Sequence, residues 1–395
     1  MDDRTAADGA PRDRAGPGPD EVRDALRDVV DPELHESIVE LGMVRRVDVV
    51  DGTARIEVAL TIAACPLRHQ IRDDVDGRVR AIPGIDGVEV TIGTMDAAER
   101  AALMSRARRA AQQSAVATDL PASARVLGVV SGKGGVGKSS VAVNVAVALA
   151  TRGLRVGLLD ADIWGFSVPR MLGLEGPLAV SEGKIRPVER RAGAGLVKVV
   201  SMGFLSGEDD AIMWRGLVLN RAVQHFLEDV AWGGLDYLVV DLPPGTGDVQ
   251  MGLARMLPRA ELLVVTTPGL AAQKVAGRAA DMARKSHLRV AGVVENMSGF
   301  TCAHGEHYPL FGVGGGERLA SEIGAPLIGR VPLDPRMARG GDTGEPAALD
   351  PTSPLAAVFA AIAGKIATEI APVVAMGGCS ARLLERVEAA LGASR

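Results

Sequence analysis

The sequence predicts an α/β fold: a mostly parallel sheet covered by helices on both faces, preceded by a small α+β domain. Short runs rich in Val and Leu recur from Arg125 onward, separated by helical stretches: VLGVVS, RVGLLD, LVKVV, DYLVVD, ELLVVTT, VAGVVEN and LIGRVP. They lack the polar alternation of a half-exposed strand, as strands buried on both faces do. The front of the chain instead carries RRVDVVDGTARIEVALTI, two alternating runs joined by Asp51-Gly52, a dipeptide that favours a two-residue hairpin. At 395 residues the chain is long for one domain.

The elements follow in order. Residues 1–19 are polar and rich in Gly and Pro, and read as a disordered tail. Residues 20–95 form the small domain. It opens on EVRDALRDVVD, whose Val22, Leu26 and Val29 have helical spacing. The hairpin, a helix after Pro66 and the strand GVEVTIG complete it. Residues 96–123 are a connection, helical over MDAAERAALMSRARRAAQQSAV and loose over ATDLPASA. Residues 124–370 hold the sheet, and 371–395 end in a short helix, SARLLERVEAALG. The apolar stretch from Leu355 meets Lys365 and Glu369 before it reaches bilayer-spanning length, so it reads as a buried or amphipathic helix.

Hydrophobic residues at 47% and charged residues at 24% allow a packed soluble core. Aromatics at 3% leave aliphatic side chains to fill it. A net charge of −5 gives no general attraction to nucleic acid or anionic membrane, so neither is expected as a partner. Three cysteines, Cys65, Cys302 and Cys379, are too few and too scattered for a secreted disulfide framework. With no apolar signal-peptide core at the start, a cytoplasmic location is expected.

Directly after VLGVVS comes GKGGVGKSS: Gly132, Lys133, Gly134, Gly135, Val136, Gly137, Lys138, Ser139 and Ser140. It satisfies G-x-x-x-x-G-K-[ST] between a strand and the helix VAVNVAVALATRG, the context a phosphate-binding loop requires. Its glycines allow positive φ, so successive N–H groups face phosphate oxygens, and the helix N-terminus adds positive charge there. Lys138 can neutralise the β- and γ-phosphates and the Ser139 hydroxyl can bind Mg²⁺. The fold class is therefore refined to a P-loop NTPase. Replacing Lys138 with alanine is expected to abolish tight MgATP binding and leave the fold intact. Lys133 is a second lysine that a simple P-loop does not need.

Asp160 and Asp162 lie at the end of RVGLLD, and Asp241 at the end of DYLVVD, where open α/β sheets place ligands. A carboxylate there can hold Mg²⁺ through water, and Gly245 and Gly247 suit a loop that senses the γ-phosphate. Helix capping or a turn is the alternative for Asp160 and Asp241.

GKGGVGKSS with Lys133, DADIWG, WRG, DYLVVDLPPGTGD, VVENMSGF and VPLDP together resemble the Mrp-type iron–sulfur cluster carrier ATPases. These belong to the deviant Walker A class that includes MinD and ParA. The resemblance runs from about Arg125 to Ile370. DPELHESIVELGMV and TIAACPL resemble the cluster-assembly accessory domain that precedes the ATPase in many such carriers. The resemblance implies a slow, switch-like ATP hydrolase. It acts as a homodimer that carries clusters from an assembly scaffold to apo iron–sulfur proteins. Lys133 would reach the partner's ATP, Asp162 would position the attacking water, and Asp241 would be the Walker B acid. Asn296 would contact adenine, and the loop from Pro332 to Asp334 would close the base pocket.

The resemblance also implies a Cys-x-x-Cys pair from each subunit holding a bridging cluster, of the 4Fe–4S type. Here the segment is FTCAHGEHYPLFG, with Cys302 present and Gly305 at the second position. His304 and His307 are nearby and can bind iron. Cys302 is thus either an iron–sulfur ligand with unusual companions or a residual loop thiol. Cys65 is either a buried filler or a reactive, cluster-contacting thiol, and Cys379 reads as incidental. A MinD- or ParA-like positioning or partition switch without a cluster is the competing function.

Overall fold

The computed structural model describes residues 16–32, 36–61, 67–113, 118–121, 123–162, 165–204, 216–245, 252–254, 256–286 and 288–373. Cys65, Trp214, Gly247, Cys379 and the expected C-terminal helix lie outside them. The chain divides into two compact units that part at Ala110 and Ala111.

The front unit begins with α1 (Pro19–Ala25), continued by a 3-10 turn over Leu26–Asp28. Strands β1 (Val44–Val50) and β2 (Thr53–Leu60) pair antiparallel across Asp51 and Gly52, whose φ values are 49° and 71°. Two successive left-handed residues make the turn whose twist matches the flanking strands. Helix α2 (Arg68–Arg80) then crosses over so that β3 (Gly87–Thr94) lies parallel to β2. Val22, Leu26, Ile56, Ile71, Val75 and Val79 close the core between them. Helix α3 (Ala97–Gln113) starts on a reciprocal cap. Asp96 Oδ1 accepts from Glu99 N and Glu99 Oε2 accepts from Asp96 N, both at 2.8 Å.

The large unit is built on a sheet whose described strands are β4 (Arg125–Ser131), β5 (Arg155–Asp160), β8 (Val188–Ala192), β9 (Gly195–Ser201), β10 (Tyr237–Asp241), β11 (Glu261–Thr266), β12 (Arg289–Asn296) and β15 (Leu327–Val331). Their order is β15-β12-β11-β4-β10-β5-β9-β8, parallel throughout except for β8 against β9. Every apolar run singled out from the sequence is one of these strands. The elements not anticipated are short. They are β8, the hairpin β6 (Ala179–Ser181) and β7 (Lys184–Arg186), and the small ribbon β13 (Phe300–Thr301) and β14 (His307–Tyr308). Glu189, Arg190 and Arg191 give β8 the charge that keeps an edge strand from pairing further.

Helices α4 (Lys138–Thr151), α5 (Val168–Met171), α6 (Gly216–Glu228), α7 (Leu270–Lys285) and α8 (Gly315–Glu322) lie between the strands, and α9 (Pro335–Thr343) and α10 (Pro354–Lys365) follow the last of them. Every residue of α4 from Val141 to Ala150 is buried, which a helix apolar all round requires. α10 packs on it with Leu355, Phe359 and Ile362 buried, so the apolar stretch from Leu355 is a core helix. Among the described residues no helix is long and apolar enough to cross a membrane. The chain enters the sheet at β4, moves out to β5 and β9, returns to insert β10, and then crosses to β11. The carboxyl ends of β4, β10 and β11 thus form a topological switch point, where open α/β sheets bind ligands.

Candidate nucleotide site and the Cys302 hairpin

The loop after β4 is shaped by its own residues. Ser131 Oγ donates to Lys133 O at 3.0 Å, turning the chain as it leaves the strand. Gly137 sits at φ 79°, and a Cβ there would fall 2.2 Å from Asn296 Nδ2, so both backbone conformation and space demand glycine. Gly132 has a different reason: a Cβ would lie 2.3 Å from the backbone of Val275 and Ala276 in α7.

Three carboxylates and one lysine meet beneath this loop. Lys138 Nζ lies 2.6 Å from Asp241 Oδ1, 3.4 Å from Asp162 Oδ2 and 3.2 Å from Ser139 Oγ, with its side chain only 6% exposed. Asp241 Oδ2 is buried and has no hydrogen-bond partner among the described residues. Asp160 is engaged on both oxygens. Oδ1 accepts from Asp162 N at 3.2 Å. Oδ2 accepts from Ser201 Oγ at 3.0 Å, Ser167 N at 3.2 Å and Val168 N at 3.3 Å. Those bonds shape the turn that presents Asp162 and cap the start of α5. They follow the alternative of a capping aspartate, and no oxygen of Asp160 is left without a protein donor.

Burial pushes the Asp160 carboxyl up to about 7, with the Asp241 charge adding to it and Ser201 and Lys138 opposing. Burial raises Asp241 as well, against the pull of Lys138 and Ser139. The sign of the pH effect follows. In the unfolded chain Asp160 titrates at 3.8, and in the fold at about 7, so the folded protein binds the extra proton between those values. This contribution to stability is full below 3.8 and is lost as pH rises through 7. Free of nucleotide and Mg²⁺, the protein is expected to be less stable at about pH 8 than at about pH 6, and Asp160→Asn to flatten that dependence. Urea unfolding at the two pH values measures it, and an unchanged slope in the variant would rule Asp160 out as the source.

Lys133 stands exposed, and its ammonium makes no hydrogen bond or ion pair among the described residues. Gly134 and Gly135 beside it are exposed, Val136 is buried, and Ser139 and Ser140 are partly buried. Asn296, at the end of β12, is buried and donates from Nδ2 to Val136 O at 2.9 Å. One of its two amide N–H donors is thus engaged by the loop. Asp334 accepts from Arg336 N at 2.9 Å as the N-cap of α9, and its Oδ2 lies 2.6 Å from the Arg336 guanidinium, which holds its carboxyl low. Pro332 precedes Leu333, whose N–H donates to Gly299 O at 2.8 Å, so this loop ties down the ribbon that follows β12. Sequence reasoning missed Asn144 on α4. Its Nδ2 donates to Ser140 O and its Oδ1 accepts from Ala348 N, both at 2.8 Å. An Asn inside an otherwise apolar helix was the available signal.

β13 and β14 pair Phe300 with Tyr308 and Thr301 with His307. The loop between them closes through Cys302 N to Glu306 O at 2.9 Å and Gly305 N to Cys302 O at 3.0 Å. Gly305 has φ 87°. Cys302 is a free, partly exposed thiol, and His304 and His307 are exposed. Thr301 Oγ1 is 3.2 Å from His307 Nδ1. Among the described residues of one chain, no three His, Cys, Asp or Glu side chains gather into a metal site. Tyr308 in the ribbon and Leu310, Phe311 and Val313 beyond it are exposed, Val313 at 70%.

Residues 123–367 match the NUBPL iron-transfer P-loop NTPases, a ParA-type family. The chain belongs to that family. Residues 19–92 match the iron–sulfur cluster assembly protein family. An iron–sulfur cluster carrier protein of Mycobacterium tuberculosis (strain ATCC 25618 / H37Rv) is 44% identical over 357 residues, covering 88% of this chain and 92% of its own. One of Deinococcus radiodurans is 45% identical over 351 residues, covering 88% and 94%. The nucleotide-binding protein of Archaeoglobus fulgidus in complex with ADP is 38% identical, covers 56% of this chain and 86% of its own, and has a TM-score of 0.47.

The residues present fit MgATP. The buried, unpartnered Oδ2 of Asp241 and the neighbouring Ser139 hydroxyl are the oxygen donors a small hard cation takes.

Proposed function

We propose that this NTPase carries an iron–sulfur cluster to apo iron–sulfur proteins as a cytoplasmic homodimer, coupled to ATP binding and slow hydrolysis. The carrying observation is the cluster of Lys138, Asp162 and Asp241 packed under a complete P-loop at the switch point. Family membership and the relatives' name, iron–sulfur cluster carrier protein, support the cargo.

In this reading the N–H groups of residues 132–140 and the Lys138 ammonium bind the triphosphate. Ser139 and Asp241 are the residues that would hold Mg²⁺, which when bound would supply charge neutralisation at the phosphates. Asp162 orients water from the turn that Asp160 fixes. Lys133 extends from the loop toward the ATP of a second copy, in the manner of the deviant Walker A class. The exposed loop from Tyr308 to Val313 gives that copy an apolar surface beside Cys302.

A two-fold pair of such hairpins brings two Cys302 thiolates together. His304, His307 or an external thiol completes the four ligands that a 4Fe–4S cargo needs. Fewer protein thiolates leave the cargo easier to release, which suits a carrier. The front unit, matched to cluster assembly proteins, is the part we assign to the supplying scaffold. Gly305 in place of a second cysteine favours one competitor, a MinD- or ParA-like switch without cargo.

Anaerobic reconstitution, with iron and sulfide counted per dimer, tests the reading. The wild type and Cys379→Ala are expected to bind both, and Cys302→Ala to lose both. Full iron and sulfide in Cys302→Ala would refute the bridging site. No iron in any of the three would leave the cargo-free switch.

A further inference from the structure

Adjacent residues at the end of β12 grip two different parts of the molecule. Asn296 donates to Val136 O of the P-loop at 2.9 Å and fills the space that a Cβ on Gly137 would take. Met297 follows with its Cε 3.8 Å from that same Cβ position, so both side chains rest on the loop. On the other side, buried Glu295 accepts from Gly316 N at 2.5 Å, at the start of α8. Between these grips run residues 297–314, which carry the Cys302 ribbon and the exposed apolar loop.

The base of that segment is strained and pinned. Met297 has φ 55°, a left-handed conformation that a long side chain adopts at a cost and that the surroundings must hold. Ser298 N donates to Val331 O at 3.0 Å, and Gly299 O accepts from Leu333 N at 2.8 Å. The His307 ring lies directly over Gly299: a Cβ there would be 2.3 Å from His307 Cε1. A shift of Asn296 therefore reaches residue 302 through a strained residue, a two-bond anchor and a ring stacked on the backbone.

We propose that Asn296 is a positioning residue that makes the exposure of Cys302 depend on the nucleotide. Phosphate drawn into the loop fixes the peptides around Val136 and Gly137, and so changes what Val136 O offers to Asn296. A ligand moves an equilibrium only through contacts that differ between its two states, and this hydrogen bond is such a contact. With the bond made, Met297 is held left-handed and the ribbon is fixed. With the bond lost, Met297 relaxes and the ribbon swings on its anchor at Ser298 and Gly299. Glu295 keeps the far end of the segment still, so the motion is confined to the ribbon.

The inference rests on nucleotide binding at the P-loop and needs no cluster. The test uses the full-length, cluster-free protein with Cys65→Ser and Cys379→Ser, so that Cys302 is the remaining thiol. Maleimide labelling of Cys302 is timed without nucleotide and with saturating MgADP or a non-hydrolysable MgATP analogue, with occupancy measured by calorimetry on the same samples. The expected result is a several-fold difference in labelling rate between the empty and filled protein. Asn296→Ala should label several-fold faster than the parent when empty, and respond little to nucleotide. Glu295→Gln, which still offers an acceptor to Gly316 N, should keep the parent's response. Nucleotide bound without any change in rate would overturn the coupling and leave the proposed function standing. Absence of binding in the parent would overturn both. If Asn296→Ala binds no nucleotide, its empty-state rate still decides, and a rate equal to the parent's would remove Asn296 from the mechanism.

Discussion

Lys138→Ala is expected to cost the nucleotide-free protein about 3–5 kcal/mol of stability, as well as its affinity for MgATP. The sequence alone suggested that the fold would survive this change untouched. The structure adds a stability cost to that expectation, because the ammonium is already occupied before any phosphate arrives. It sits 2.6 Å from Asp241 Oδ1 and 3.4 Å from Asp162 Oδ2, and among the described residues it is the cation that touches these carboxylates. Removing it leaves buried negative charge uncompensated, the situation in which breaking a buried ion pair is most costly. Proton uptake offers partial relief, since burial already raises Asp241, so the loss should be smaller at low pH than at high pH. Loss of the ammonium from the phosphate site should take about 2–5 kcal/mol of affinity, a factor of roughly 30 or more. Urea unfolding of apo protein and calorimetry with MgATP separate the two effects. Wild-type stability in the variant would mean that the lysine does not neutralise the acidic cluster. Asp241→Asn is the informative companion. It removes one buried charge and spares the lysine, so the apo protein should keep most of its stability and lose only its affinity for MgATP.

Most of the large sheet was legible because burial on both faces writes itself into sequence as unbroken Val and Leu runs. LVKVV shows how far this holds: it is β9, with Lys198 reaching out to donate to Trp232 O at 2.7 Å. The elements that escaped notice have no such signature. β8 reads VERRA, and β13 and β14 are two residues each, held by ladder bonds that any sequence can make. The front hairpin was legible for the opposite reason. Asp51 and Gly52 are both left-handed in the structure, and that conformation is rare enough in side-chain-bearing residues for the dipeptide to announce it.

Within the site, the P-loop could be read whole because its chemistry lies in the backbone, and the glycines mark where the backbone must bend. The carboxylates could be located at strand ends, but their division of labour could not be read. Asp160 and Asp162 are two residues apart in one motif. One is spent on Ser201, Ser167, Val168 and the Asp162 amide, while the other faces Lys138. That difference depends on how the fold turns Ser167 and Val168 back toward Asp160 and on Ser201, which β9 brings from 41 residues away. Asn296 illustrates the same limit. Its partner, Val136 O, is 160 residues away.

Lys133→Ala should separate binding from association. Lys133 lies five residues before Lys138 in the same loop, yet the two side chains have opposite fates. Lys138 is buried against acids, whereas Lys133 is exposed, with Ser131 Oγ holding its carbonyl. A residue with no partner in its own subunit contributes little to that subunit's stability, so the variant should unfold like the wild type. It should also bind MgATP in the monomer with nearly wild-type affinity, since the phosphate-facing amides and Lys138 remain. What it should lose is the shift in mass that a non-hydrolysable ATP analogue produces in the wild type, together with hydrolysis. In the proposed dimer its charge meets the partner's phosphates across a low-dielectric seam, where such an interaction is strongest. Sizing chromatography with the analogue and a phosphate-release assay measure the two losses. Lys133→Arg restores the charge with a longer, planar head, so it should recover association better than hydrolysis. An unchanged mass shift in Lys133→Ala would take the lysine out of the interface. Loss of association together with loss of monomer binding would place Lys133 in its own subunit's site.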